Sequence, residues 1–122
     1  MLNFYADTRN LAHLLGELVA LSLGIDTSVL KKHFSRQTIG MNYYPTCPQP
    51  ELTFGLSSHS DFGTITLLIQ DAEGLQVKKG DEWVNVKVIP NSFIVLIGDQ
   101  LEVYLPPFNM CIIYACTSSH TS

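Results

Sequence analysis

His59-Ser60-Asp61 is the segment of this chain whose residue types and spacing bear most directly on chemistry. On an extended backbone, residues two apart point to the same face, so this imidazole and carboxylate can converge on one metal ion. A second imidazole from elsewhere would complete a 2-His-1-carboxylate triad, the set that suits non-haem Fe(II) and leaves coordination positions open. The same spacing also fits a plainer reading, a His–Asp hydrogen bond at a strand end. Other candidates are weaker. His13 and His33 lie on helical stretches without a partner at metal spacing and read as surface or packing residues. Cys47, in a proline-rich loop, reads as a small packing thiol. Cys111, Cys116 and His120 form a loose set of three, one ligand short of a closed structural zinc site.

The elements that must carry these residues follow from length and pattern. A chain of 122 residues is one domain at most. With 46% hydrophobic and 15% charged residues it has the means to bury a core, which excludes disorder over most of its length. A net charge of −4 with seven Lys plus Arg argues against a nucleic-acid partner, which needs a clustered basic face. No apolar run reaches the length of a membrane span, and the first residues lack the basic and apolar regions of a secretory signal. Three cysteines without such a signal read as reduced thiols of a cytoplasmic protein.

Leu11, Leu14, Leu15, Leu18 and Val19 predict a helix with one apolar stripe, ended by Gly24 in the left-handed C′ position. Asp26 and Thr27 are candidate caps for a second helix from Ser28 to about Phe34. Ile39 to Tyr44 reads as a strand stopped by Pro45, and the prolines at 45, 48 and 50 make the next segment a rigid loop. Short strands are then expected at Thr53–Ser57, Thr64–Ile69, Leu75–Lys78, Trp83–Val88 and Ser92–Ile97, separated by Gly-, Asp- and Pro-containing turns. Such spacing predicts an antiparallel sandwich, barrel or jelly roll. Leu75, Val77, Val84, Val86, Phe93, Val95 and Ile97 alternate and are the expected core, with Trp83 covering a sheet face. From Val103 to Ser122 there is no Asp, Glu, Lys or Arg and no clean period.

The ordered blocks sharpen this. Met41-Asn42-Tyr43-Tyr44-Pro45-Thr46-Cys47-Pro48-Gln49-Pro50 precedes Gly55-Leu56-Ser57-Ser58-His59-Ser60-Asp61. Gly74-Leu75-Gln76-Val77, Trp83-Val84-Asn85-Val86, Ile89-Pro90-Asn91-Ser92-Phe93 and Ile97-Gly98-Asp99-Gln100-Leu101-Glu102 follow. From about residue 5 to 103 this run strongly resembles the plant Fe(II)- and 2-oxoglutarate-dependent dioxygenases, including flavanone 3-hydroxylase, anthocyanidin synthase and jasmonate-oxidising oxygenases. The resemblance implies a mainly β fold, a partial double-stranded β-helix preceded by one or two helices. It implies His59 and Asp61 as iron ligands. Asn42 and Tyr44 fall on the family's Asn-x-Tyr motif, whose Tyr helps hold the distal carboxylate of 2-oxoglutarate. The implied cofactors are Fe(II) and 2-oxoglutarate, and the implied partners are dioxygen and a small organic substrate, with neither nucleic acid nor membrane.

The same resemblance defines a departure. Counting along the family pattern, the distal iron His falls at about Tyr114, and the Arg-x-Ser motif that grips 2-oxoglutarate falls beyond Ser122. The expected organisation is therefore a helical lead-in at 1–37, a partial jelly-roll core at 38–103 and an atypical tail at 104–122. Glu102-Val103-Tyr104 fits translation across a splice donor, which would make the chain a truncated product. Two functions stand side by side: a dioxygenase by family, and a catalytically inactive fragment that serves at most as a binding or regulatory module. Lacking the last strands, the core is expected to present open sheet edges.

Overall fold

A computed structural model describes residues 2–104 and the backbone of residues 112–115. The chain forms two compact units, each assembled from separate stretches of sequence. The first draws on residues 1–39, 61–69 and 93–108, the second on 40–60, 70–92 and 109–122.

In the first unit, α1 (Leu2–Leu23) ends where Gly24 turns left-handed at φ 67°. Helix α2 (Thr27–Lys31) starts at the N-cap Asp26, whose carboxylate accepts from the Ser28 amide at 2.8 Å. A 3-10 turn over Lys32–Phe34 extends it. Strands β2 (Ile65–Leu68) and β5 (Ile94–Ile97) pair antiparallel, Ile65 opposite Ile97 and Leu68 opposite Ile94. The short helix α3 (Asp99–Glu102) follows β5 directly. The core is where these elements meet: Ala20 of α1, Leu30 of α2 and Leu101 of α3 are buried, with Val19, Phe34, Ile65 and Ile97 packed on them.

The buried face of α1 differs from the expected stripe. Leu14 and Leu18 are 54% and 53% exposed, whereas Thr8, Gly16 and Ala20, at four- and eight-residue spacings, are buried. The reason is the close approach of Phe34. A Cβ at Gly16 would overlap the Phe34 ring, so the inward face of the helix must be its small-residue face. Leu11, Leu15 and Val19 flank it half-buried. The Thr8 hydroxyl caps the Phe4 carbonyl at 2.8 Å and accepts from Gln37 Nε2 at 2.9 Å, which ties the segment after α2 back to α1.

In the second unit a four-stranded antiparallel sheet has the order β1-β6-β3-β4. Its strands are β1 (Phe54–His59), β3 (Leu75–Lys79), β4 (Glu82–Asn85) and β6 (Ile112–Ala115). Strands β3 and β4 form a hairpin across Gly80-Asp81, with Gly80 at φ 63°, the positive value that both favoured two-residue turns need at this position.

Three further expectations are corrected. Residues 39–44 form no strand, and Met41 and Tyr43 are each 87% exposed. A β-rich sequence becomes a strand only within a ladder, and neither sheet among the described residues includes this segment. The alternating core is out of phase in β5, where Leu96 is buried and Val95 is 42% exposed; Val84 is also exposed. Where open sheet edges were expected, β6 lies between β1 and β3, pairing His59 with Ile112, Leu56 with Tyr114 and Leu75 with Tyr114. Two edges expected to stand open are thereby joined. Cys111, Cys116 and His120 lie outside the described residues.

Candidate metal centre

His59 is the last residue of β1, and Asp61 opens the loop that leads into β2. Both are half-buried. The ladder between β1 and β6 slips twice, between Phe54 and Leu56 and again between Leu56 and His59. Such irregularities turn a strand and re-aim the side chains that follow. The His59 ring is oriented by its own strand: Nδ1 lies 2.9 Å from the Ser57 carbonyl. A carbonyl oxygen only accepts, so Nδ1 is the donor in this contact. Metal-ligating histidines are held in this way, with the far N–H on a carbonyl or carboxylate. The Ser57 carbonyl was not foreseen in the sequence, since any residue could supply it.

The loop at Asp61 is held through its backbone. The Asp99 amide donates to the Asp61 carbonyl at 2.8 Å, Gln100 to Gly63 at 3.2 Å and Gly98 to Thr64 at 3.0 Å. The Thr64 side chain is buried, with its hydroxyl 3.1 Å from Gln100 Oε1. In the sequence, Gly98-Asp99 is a turn signal within the Ile97-to-Glu102 block, with no role of its own.

Asn42 and Tyr44 lie in the irregular extended segment before the proline-rich loop, both exposed. His13 packs on Phe34 with ring centroids 5.1 Å apart, and the His33 backbone carbonyl lies 3.5 Å from the Thr64 hydroxyl. Cys47 is a free, half-buried thiol.

The donor types at 59 and 61 fit a divalent iron, which takes imidazole and carboxylate together. In a facial triad of the kind expected from the sequence they would be two of three protein donors. Among the described residues no group of three His, Cys, Asp or Glu side chains could hold a metal ion. No helix among them is long and apolar enough to cross a membrane.

Comparison with known proteins bears on the family. Residues 35–109 match the 2OG-Fe(II) oxygenase superfamily. Jasmonate-induced oxygenase 4 of Arabidopsis thaliana is 45% identical over 104 residues, a match that covers 80% of this chain and 30% of the relative. Codeine O-demethylase of Papaver somniferum is 54% identical over 69 residues, covering 55% of this chain and 19% of the relative. The crystal structure of JOX2 in complex with 2OG, Fe and JA superposes with a TM-score of 0.80 at 31% identity, covering 96% of this chain and 37% of that one. The chain thus spans less than a third of either sequence relative. The shared architecture is the mainly β jelly roll of these oxygenases, here its helix-preceded part.

Proposed function

The chain belongs to the 2OG-Fe(II) oxygenase superfamily, and from that premise we propose that it carries the His-x-Asp half of an iron site and does not turn over substrate by itself. The family's cofactors are Fe(II) and 2-oxoglutarate, and bound iron supplies the centre at which 2-oxoglutarate and dioxygen react. In this reading His59 Nε2 and an Asp61 carboxylate oxygen are the two iron donors. Tyr44 offers its hydroxyl to the distal carboxylate of 2-oxoglutarate, and Asn42 supports the same segment. The parent activity is oxidation of a small organic metabolite with dioxygen. The atypical segment at 104–122 stands where the family pattern calls for the distal His.

One observation carries the reading that this chain is inactive. The strand beside β1 in the sheet is β6, and its sequence is Ile112-Ile113-Tyr114-Ala115, with no imidazole or carboxylate in it. Two donors leave water to fill the third place, and affinity in nitrogen and oxygen sites falls with each donor lost. Anaerobic Fe(II) titration of the chain, of His59→Ala and of Asp61→Asn, together with succinate formation from 2-oxoglutarate, tests it. Weak binding that either substitution abolishes, without succinate, is the expected result. Robust Asp61-dependent succinate formation refutes the inactive reading, and binding indifferent to both substitutions refutes the ligand assignment.

A further inference from the structure

We infer that the Gly98-Asp99-Gln100 turn is the positioning device of Asp61: it fixes the backbone that presents this carboxylate, and Gly98 is the residue that lets it do so. This rests on the reading of Asp61 as an iron ligand and goes beyond it, because the turn itself touches no metal.

The geometry runs in one direct line through the first unit. Leu101 is fully buried against Ala20 and Leu30, so α3 is anchored in the core. One turn back, the amides of Gly98, Asp99 and Gln100 point at the loop that carries Asp61. They donate to Thr64, Asp61 and Gly63, three carbonyls of a four-residue stretch. These are the first amides of a helix, which have no partner inside it and must find acceptors outside. Here the acceptors are the carbonyls around the ligand. The approach is close enough to exclude any side chain at 98. A Cβ there would lie 2.8 Å from the Asp61 carbonyl oxygen and nearer still to the Gly63 carbonyl. Gly98 has an ordinary extended φ of −93°, so the requirement at this position is space and not backbone freedom. The residue that carries this carboxylate is thereby tied, through a single 2.8 Å backbone bond, to an element whose Leu101 side chain is fully buried. Ligand orientation set by surrounding groups of this kind is worth about 10- to 100-fold in metal affinity.

The obvious variant, Gly98→Ala, could unfold the turn altogether. Asp99→Pro acts on the bond itself. Residue 99 is the first of α3, and Gly98 at ψ 171° already has the backbone a following proline needs. Asp99→Pro replaces the N–H that reaches Asp61 with a ring Cδ that pushes away the Asp61 carbonyl, 2.8 Å from that nitrogen, while the Gly98 and Gln100 amides remain. Asp99→Ala removes the same carboxylate and keeps the N–H. Mn(II), added to the 15N-labelled chain, is the probe, read as paramagnetic broadening of the residue 59–61 amides. Amide exchange at Gly98 and Gln100 is the metal-free readout of the turn. The expected result is at least tenfold weaker Mn(II) binding in Asp99→Pro, parent-like binding in Asp99→Ala, and protected Gly98 and Gln100 amides in both. Parent-like binding in Asp99→Pro, whether or not the turn stays docked, overturns the inference; so does an equal loss in Asp99→Ala, which would assign the effect to the carboxylate. Asp61→Asn is the separate arm: if it binds Mn(II) as the parent does, the ligand reading itself fails, a result distinct from the other two.

Discussion

Leu101→Ala is the substitution most informative about how the first unit holds together. Leu101 is completely buried, and it is the point where α1, α2, β2 and β5 residues converge on α3. Cutting it to Ala removes three heavy atoms from a site that cannot collapse freely, because Ala20 and Leu30 are themselves buried and sit on helices joined by the Ile25–Ala20 backbone bond. Buried Leu→Ala changes cost about 2–5 kcal/mol, the transfer loss plus the cavity left behind. Taking about 3 kcal/mol, and a urea slope of about 1.5 kcal/mol per molar, the unfolding midpoint falls by about 2 M. Val95→Ala, on β5 of the same unit but 42% exposed, is the control and should cost less than about 1 kcal/mol. Helical circular dichroism reads the change, since α1 and α2 belong to the first unit. A midpoint shift no larger than that of Val95→Ala would refute the anchoring of α3, and with it the route from the core to the Asp61 loop.

Two further outcomes follow from the same contacts. The Asp26 carboxylate is held below its usual range, chiefly by the hydrogen bonds it accepts from Ser28, so its contribution is present above the unfolded value of 3.8 and is lost as pH falls through the folded one. The α2 amides should therefore exchange faster below about pH 4 in the parent, while Asp26→Asn, which keeps an acceptor and loses the charge, should show no such step; an identical step in both would remove Asp26 as its cause. Ending the chain after Val103 deletes β6, which pairs with β1 on one side and β3 on the other. The exposed edges should then drive self-association seen by size-exclusion chromatography, together with loss of amide protection in β1, and a monomer with β1 still protected would contradict the pairing.

What could be read from sequence, and what could not, divides by range. The strand positions were legible because apolar runs of four to six residues are bounded by Gly, Pro and Asp turns, and β2, β3 and β5 fall within the expected spans to one or two residues. The Asp26 cap and the Gly24 stop were legible for the same local reason. The inward face of α1 was not. Its apolar residues lie on more than one side, and the choice among sides was made by an aromatic ring eleven or more residues away in sequence, at Phe34, which admits only Gly16 and its small neighbours. The segment at 39–44 shows the converse error: its residues favour a strand, and no described neighbour completes one. For the site, His59 and Asp61 were visible as types at a spacing. The groups bonded to them, the Ser57 carbonyl at the His59 ring and the Asp99 amide at the Asp61 backbone carbonyl, are backbone atoms that no residue pattern advertises.

The β6 slot shows why fold and chemistry must be tested separately here. Pairing between β1 and β3 asks only for amides, carbonyls and residues that suit a pleated strand, and Ile112-Ile113-Tyr114-Ala115 meets that demand without a single imidazole. A metal asks for a particular lone pair at a particular atom, which a strand of any apolar composition can fail to supply while its ladder stays intact. Similarity of architecture to an iron-bound oxygenase therefore speaks to the ladder, and the donor count speaks to the metal. The two are separable by experiment: Leu101→Ala acts on the stability of the first unit, whereas His59→Ala removes the proposed donor from a half-buried strand end and leaves that core untouched. A loss of iron affinity without a loss of stability in the second variant is what distinguishes an inherited site from an inherited fold.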